Sequence, residues 1–377
     1  MNTDAIEKVL RNAVAGGAVP GVTAAVISGT ETLFQGSAGV TQIGGTEAVG
    51  ADTMFWIASM TKPVTSVAAM QLVEQGKLSL DAPIGELLPE LRDAQILENG
   101  ALRPATRRIT LRHLLTHTAG FSYAFSSAEY AAFLAAHPNP PAFGTRAAFN
   151  MPLLFEPGER WSYGMSTDWV GLAVEAASGM RLDAYLRTHI FEPLGMHDTA
   201  FLPSAPQVER LVAMHQREAD GTLTARPPAP PRVPDVFSGG GGLYSTLADY
   251  QKFLLVFLND GAGIIAPATV AEMSRNQIGA LRAGAIPSAN PTLFTGADIA
   301  PGMDSKWGLG FLIHPEKGRF GRNAGSLSWL GLPNTYFWID PAAKLAGIML
   351  MQILPSGDPA AVKTFYGFEA AVYAALR

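Results

Sequence analysis

The sequence predicts an α+β fold, an antiparallel sheet flanked by helices with a mostly helical domain inserted into it. Three observations carry that expectation. Strand-like segments lie near both ends of the 377-residue chain. The stretch from about 60 to 200 has helical periodicity broken by Pro/Gly-rich loops. The run Leu345 to Met351 is too apolar for a sheet edge, so it belongs at the centre of the sheet.

In chain order, residues 4–16 read as an amphipathic helix. Residues 21–27 and 31–36 read as two strands, with Ser28, Gly29 and Thr30 turning between them. Pro63 is well tolerated only in a first helical turn, which sets a helix start just before it. Val64, Val67, Ala68, Met70, Leu72 and Val73 cover most of that helix's circumference, so it is expected to be buried, and Gly76 stops it. Residues 226–231, Arg-Pro-Pro-Ala-Pro-Pro, read as a rigid linker or surface loop. The irregular 280–305 segment has the length of a functional or mobile loop. Strands follow at 311–313, 335–339 and 345–351, and a closing helix at 361–376. Strands from the two termini would pair in one sheet. The expected division is an α/β domain from residues 1–58 and 238–377 and a helical domain from 59–237, with the active site between them. No internal repeat is evident.

Composition excludes several classes. The chain is 48% hydrophobic and 16% charged, with a net charge of −5 and no long run of either sign. A nucleic-acid partner would need a basic patch, and none is present. Without cysteine, disulfides and thiolate metal sites are excluded. The N-terminus lacks a basic segment followed by an apolar one, and no apolar stretch is long enough to span a bilayer. A cytoplasmic enzyme with no membrane partner is the default expectation.

The densest chemical signal is Ser59-x-x-Lys62 at the start of the apolar helix. A serine hydroxyl is a weak nucleophile until a base stands beside it. Positions i and i+3 share a helix face, so Lys62 can reach the Ser59 hydroxyl. The helix start also supplies free N–H groups that favour an oxyanion. The alternative is a Ser59 helix cap beside a solvated Lys62. A lysine in the first turn of a buried helix, however, requires a partner.

Two further segments bear on the site. Tyr163 lies in a loop at the entrance of a helix from Thr167 to about Ser178, where a polar side chain can point into a cleft. Beside a lysine, a phenol can shuttle protons. Read alone, this segment fits a loop-anchoring tyrosine better. Residues 323–333 precede the strand at 335–339. There, Gly331 would let a substrate approach the backbone, and the Leu332 N–H would be a second oxyanion donor. Read alone, that segment fits a hairpin turn with Trp329 as a packing residue.

Taken in this order, the three segments resemble the serine β-lactamase/penicillin-binding-protein superfamily. The chain is most similar to its class C β-lactamase-like esterases, the family VIII carboxylesterases. The resemblance covers most of the chain. It rests on Ser59-x-x-Lys62, Tyr163 in the tyrosine motif, and Trp329-x-Gly331 where β-lactamases carry Lys-Thr-Gly. The scaffold phrases 111–120, 191–196 and 242–249 add to it.

The departures from the pattern bear on the activity. Met165 stands where class C β-lactamases have the asparagine of Tyr-x-Asn, which removes an amide that could bind an acylamino group. Trp329 removes the cation that could bind the β-lactam carboxylate, although Arg322 is near enough in sequence to substitute. A missing leader also argues against a periplasmic wall or antibiotic enzyme. The resemblance therefore implies a serine carboxylesterase for short-chain acyl esters. Ser59 would be the nucleophile, Lys62 and Tyr163 would share the general base and acid roles, and the Ser59 and Leu332 N–H groups would hold the oxyanion. Trp329 and Gly331 would line the substrate site. The partner would be a small-molecule ester, and neither metal nor organic cofactor is implied. An acyltransferase using the same acyl-enzyme, a weak β-lactamase or D-amino peptidase, and a non-catalytic binding protein of the same fold are the rivals.

Other tempting residues read as scaffold. His113 and His117 are spaced i, i+4, but no glutamate stands in the metalloprotease position. Residues 239–242, four glycines, lack a following Lys-Ser or Lys-Thr and read as a tight turn near the active site.

Overall fold

The structure is a computed structural model that describes residues 2–137, 139–142, 144–228 and 232–376. Its centre is a seven-stranded antiparallel sheet. The strand order is Lys306–Trp307, Leu312–Ile313, Leu327–Gly331, Thr335–Asp340, Leu345–Leu350, Gly21–Ser28, Thr32–Gly39. Both termini thus feed one sheet, and the Leu345–Leu350 strand is flanked on both sides. All six of its residues are buried.

Alternation along the strands divides the apolar side chains between two cores. Val22, Ala24, Val26, Tyr336, Trp338 and Met349 face the terminal helices Asp4–Ala15 and Pro359–Ala375. Ala25, Ile27, Phe337, Ile339, Ile348 and Leu350 face the other way, into a larger core built with the helices Thr61–Glu74, Ser166–Ser178 and Leu247–Leu258. Every residue from Thr61 to Leu72 is buried. That helix ends at Gly76, whose φ of 69° a side chain would strain.

Between the outer strands of the sheet runs a mostly helical stretch with exceptions. Gln95–Glu98 and Ala101–Pro104 form a hairpin. Met214–Arg217 and Leu223–Arg226 form another, which pairs in parallel with Ile353–Leu354. Of the expected Pro-rich linker, Arg226 ends this second hairpin, and residues 229–231 lie outside the described residues. The 280–305 segment is anchored: the Ala289 and Asn290 N–H groups both donate to the Phe125 carbonyl, at 2.7 and 3.1 Å. Among the described residues no helix is long and apolar enough to cross a membrane.

Candidate active site

Ser59 sits in a single 3-10 turn, Ala58–Met60, that runs straight into the Thr61–Glu74 helix. Ala58 has a φ of 43°, a left-handed conformation costly for a residue with a Cβ. That kink brings the chain from a short strand, Phe55–Trp56, abruptly onto the helix axis and leaves Ser59 half-buried at the corner.

Lys62 is fully buried, and it has the partners that burial demands. Its Nζ lies 3.2 Å from Ser59 Oγ, 3.1 Å from Tyr123 OH and 2.8 Å from the Gly240 carbonyl. Gly240 belongs to the four-glycine turn, so that turn does adjoin the serine–lysine pair. The Tyr163 ring lies beneath the same nitrogen, its centroid 4.6 Å away.

The two phenols differ. The Tyr163 hydroxyl accepts from the Trp329 indole N–H at 3.3 Å, while the Tyr123 hydroxyl accepts from Lys62. Tyr123 was not singled out in the sequence. It follows the scaffold phrase ending at Gly120 by three residues, and only the fold carries it to Lys62. Burial, with the nearby Asp168 and Tyr163, holds the Tyr123 phenol well above its ordinary ionisation range. It is therefore a neutral donor and acceptor at physiological pH.

Trp329 lies in a strand, Leu327–Gly331, rather than in a hairpin turn, and it is buried. It completes an aromatic cluster. Its ring is 4.9 Å from Tyr163 and 4.5 Å from Trp307, and His117 stands 4.9 Å from Tyr163 and 5.2 Å from Trp307. Burial, and then the Lys62 charge, keep His117 neutral well below the usual histidine range. His113 plays a different part. Its Nδ1 accepts from the Thr110 N–H while Thr110 Oγ1 accepts from the His113 N–H, a reciprocal cap.

Gly331 is required for a reason other than the expected one. A Cβ there would come within 2.3 Å of the Ile57 carbonyl oxygen and 2.2 Å of Thr335 Oγ1. The space is filled by the chain's own backbone, two residues before Ser59, and not left for a substrate. Leu332 follows in the turn between the two strands, half-buried. Arg322 does not replace the missing lysine. It is buried on the other side of the sheet, where its Nη2 meets Glu369 Oε2 at 2.6 Å and its guanidinium stacks on Trp338 and Phe365. A side chain fixed by a buried partner cannot swing into the cleft without leaving that charge unpaired. A cavity of about 340 Å³ adjoins this pair rather than the serine.

A cleft of about 1130 Å³ opens beside Tyr163. Leu102, Phe133, Phe155, Trp161 and Ile286 supply much of its apolar wall, and Glu98, Glu129 and Arg160 its charged groups. The 285–288 segment contributes one side, so part of the long irregular loop runs along this cleft, which neither Ser59 nor Lys62 lines.

The α+β sheet, the buried lysine touching a half-buried serine, and the phenols around them define a serine hydrolase-type enzyme. The chain belongs to the Beta-lactamase family, whose model matches residues 6–372. It is 33% identical to the monacolin J acid methylbutanoyltransferase of Aspergillus terreus over 86% of this chain and 82% of that one. It is 32% identical to the lovastatin esterase of Penicillium rubens over 81% of this chain and 82% of that one. Among solved structures, unliganded simvastatin synthase (LovD) from Aspergillus terreus superimposes with a TM-score of 0.87 at 29% identity, covering 100% of both chains.

Proposed function

We propose that this protein is a serine carboxylesterase that hydrolyses short-chain acyl esters through an acyl-enzyme on Ser59. One observation carries the reading, the set of neighbours around Lys62. All three of its hydrogen-bonding partners are oxygens that can accept, and the Gly240 carbonyl can only accept. A neutral amine that gives its two N–H bonds to the Gly240 carbonyl and the Tyr123 hydroxyl has its lone pair left for the Ser59 O–H, 3.2 Å away.

In the proposed cycle the Ser59 proton passes to Lys62 as Oγ bonds to the ester carbonyl carbon. The carbonyl electron pair moves to oxygen, held by the Ser59 and Leu332 backbone N–H groups. Collapse of the tetrahedral intermediate breaks the bond to the alkoxy group, which leaves with a proton returned from Lys62 through Tyr163 or Tyr123. Water then attacks the acyl-enzyme, and the same groups carry its proton back to Ser59. Trp329 in place of a lysine leaves the site without that cation, which suits a neutral ester, and its one N–H is already given to the Tyr163 hydroxyl.

A second reading is transfer of the acyl group to an alcohol. The resemblance to both a methylbutanoyltransferase and an esterase supports either fate of a common acyl-enzyme. The test is fluorophosphonate labelling with peptide mapping, followed by p-nitrophenyl acetate and butyrate turnover with and without a bulky alcohol. Label on Ser59 and ester turnover are expected. Accumulation of the new ester at the expense of free acid would assign the transferase reading, and label elsewhere would overturn both.

A further inference from the structure

Behind Lys62 lies a buried carboxylate that the mechanism above does not use. Asp168, in the first turn of the Ser166–Ser178 helix, is 2% exposed. Its Oδ1 accepts from Ser238 Oγ at 2.6 Å and from the Gly240 N–H at 3.0 Å. The carboxylate presses so closely on the glycine turn that a Cβ on Gly240 would lie 2.7 Å from Asp168 Oδ2. The same Gly240 offers its carbonyl to Lys62 Nζ. On the neighbouring residue, Thr65 Oγ1 donates to the Gly239 carbonyl at 2.7 Å. The turn is therefore clamped between two helices, and one residue in it touches both the carboxylate and the lysine.

We propose that Asp168 is a positioning residue of the active site: through Gly240 it fixes Lys62 Nζ against Ser59, and its negative charge sets how readily Lys62 becomes the neutral base. This rests on the reading of Lys62 as that base. A purely packing role is a poor account of Asp168. A buried carboxylate is expensive, and a neutral residue accepting the same two bonds would hold the turn at lower cost. What the carboxylate adds is charge. Burial raises the Asp168 carboxyl, and the Lys62 charge opposes that rise, which ties the two groups electrostatically. The other titratable groups facing Lys62 are Tyr123, Tyr163 and His117. Of these, Tyr123 stays protonated and His117 stays neutral at physiological pH, so neither supplies the counter-charge.

The sign follows from Coulomb attraction. An anion at Asp168 favours the ammonium form of Lys62. Asp168→Asn keeps an oxygen acceptor for Ser238 and Gly240 and removes the charge. The acid limb of kcat/KM against pH should then move to lower pH by about one unit or more, near tenfold in the neutral-amine fraction below the limb. Ser238→Ala, which keeps the charge and loses one hydrogen bond, should leave the limb in place while lowering kcat a few-fold. Asp168→Ala should lose both charge and clamp.

The experiment is kcat/KM for p-nitrophenyl butyrate from pH 5 to 10 on Asp168→Asn, Ser238→Ala and wild type, with melting temperatures alongside. A folded Asp168→Asn enzyme whose acid limb stays at the wild-type pH overturns the proposal. If Asp168→Asn does not fold, Ser238→Ala decides: a limb displaced by that variant overturns it as well. Failure of the underlying reading would look different, since Lys62→Ala would then retain activity.

Discussion

The indole N–H of Trp329 donates to the Tyr163 hydroxyl at 3.3 Å, with the two ring centroids 4.9 Å apart. The Leu327–Gly331 strand and the tyrosine loop are thus joined through the residue that the resemblance sets where β-lactamases carry a lysine. Converting Trp329 to Phe would keep an aromatic ring, shrink a fully buried side chain and leave the hydroxyl without this donor. We expect a loss of about 2 kcal/mol or more in stability, one hydrogen bond plus the cavity left by the smaller ring. Ester turnover should fall a few-fold. A Trp329→Phe enzyme with unchanged melting temperature and kcat would show the contact to be idle.

Ser59→Ala is expected to abolish turnover and fluorophosphonate labelling while leaving circular dichroism unchanged. Near-wild-type activity in a folded Ser59→Ala protein would remove the nucleophile from the scheme.

Lys62→Ala should slow acylation by about a hundredfold or more, the scale of lost acid–base catalysis. Tyr123→Phe removes one acceptor of Lys62, and the two residues touch, so their effects should be strongly non-additive. The double variant should be little worse than Lys62→Ala alone. Cleanly multiplicative losses in single-turnover acylation would mean that Tyr123 works independently of Lys62.

By the resemblance, Met165 and Trp329 stand where β-lactamases carry polar groups, and Arg322 is held by Glu369 on the other side of the sheet. A site without partners for a group discriminates against it. Butyrate esters should be preferred over a penicillin or a cephalosporin in kcat/KM by about a hundredfold or more. Comparable values on one enzyme batch would contradict this account of the two substitutions.

His314 supplies a stability prediction. Burial, helped by the neighbouring Arg322, lowers it from 6.5 to about 3. In the unfolded chain it takes a proton near pH 6.5, whereas the folded chain resists until far lower pH. The unfolded state therefore binds more protons between these limits, and stability falls as pH drops below about 6.5. By pH 5 this site alone should cost about 2 kcal/mol. His314→Gln should be less stable at pH 7 yet lose less on acidification. Parallel stability curves for the two proteins between pH 7 and 5 would refute the assignment.

Much of this was legible in the sequence because it is local. Pro63 and Gly76 bracket the buried helix that follows Ser59, the apolar Leu345–Leu350 run is a central strand, and a three-residue spacing suffices to put Lys62 beside Ser59. The identity of Lys62's other partners is not local. Tyr123 and Gly240 are 61 and 178 residues away in the chain, and no periodicity encodes that meeting. The same holds for Gly331, whose neighbour proved to be the Ile57 carbonyl and not a substrate. It holds for Arg322, which sequence distance placed near the site and the sheet placed behind it. Side-chain type and short spacing determine which chemistry a segment can offer. Which face of a strand a residue occupies, and what the chain brings back against it, is decided only when the sheet and the helices close around one core.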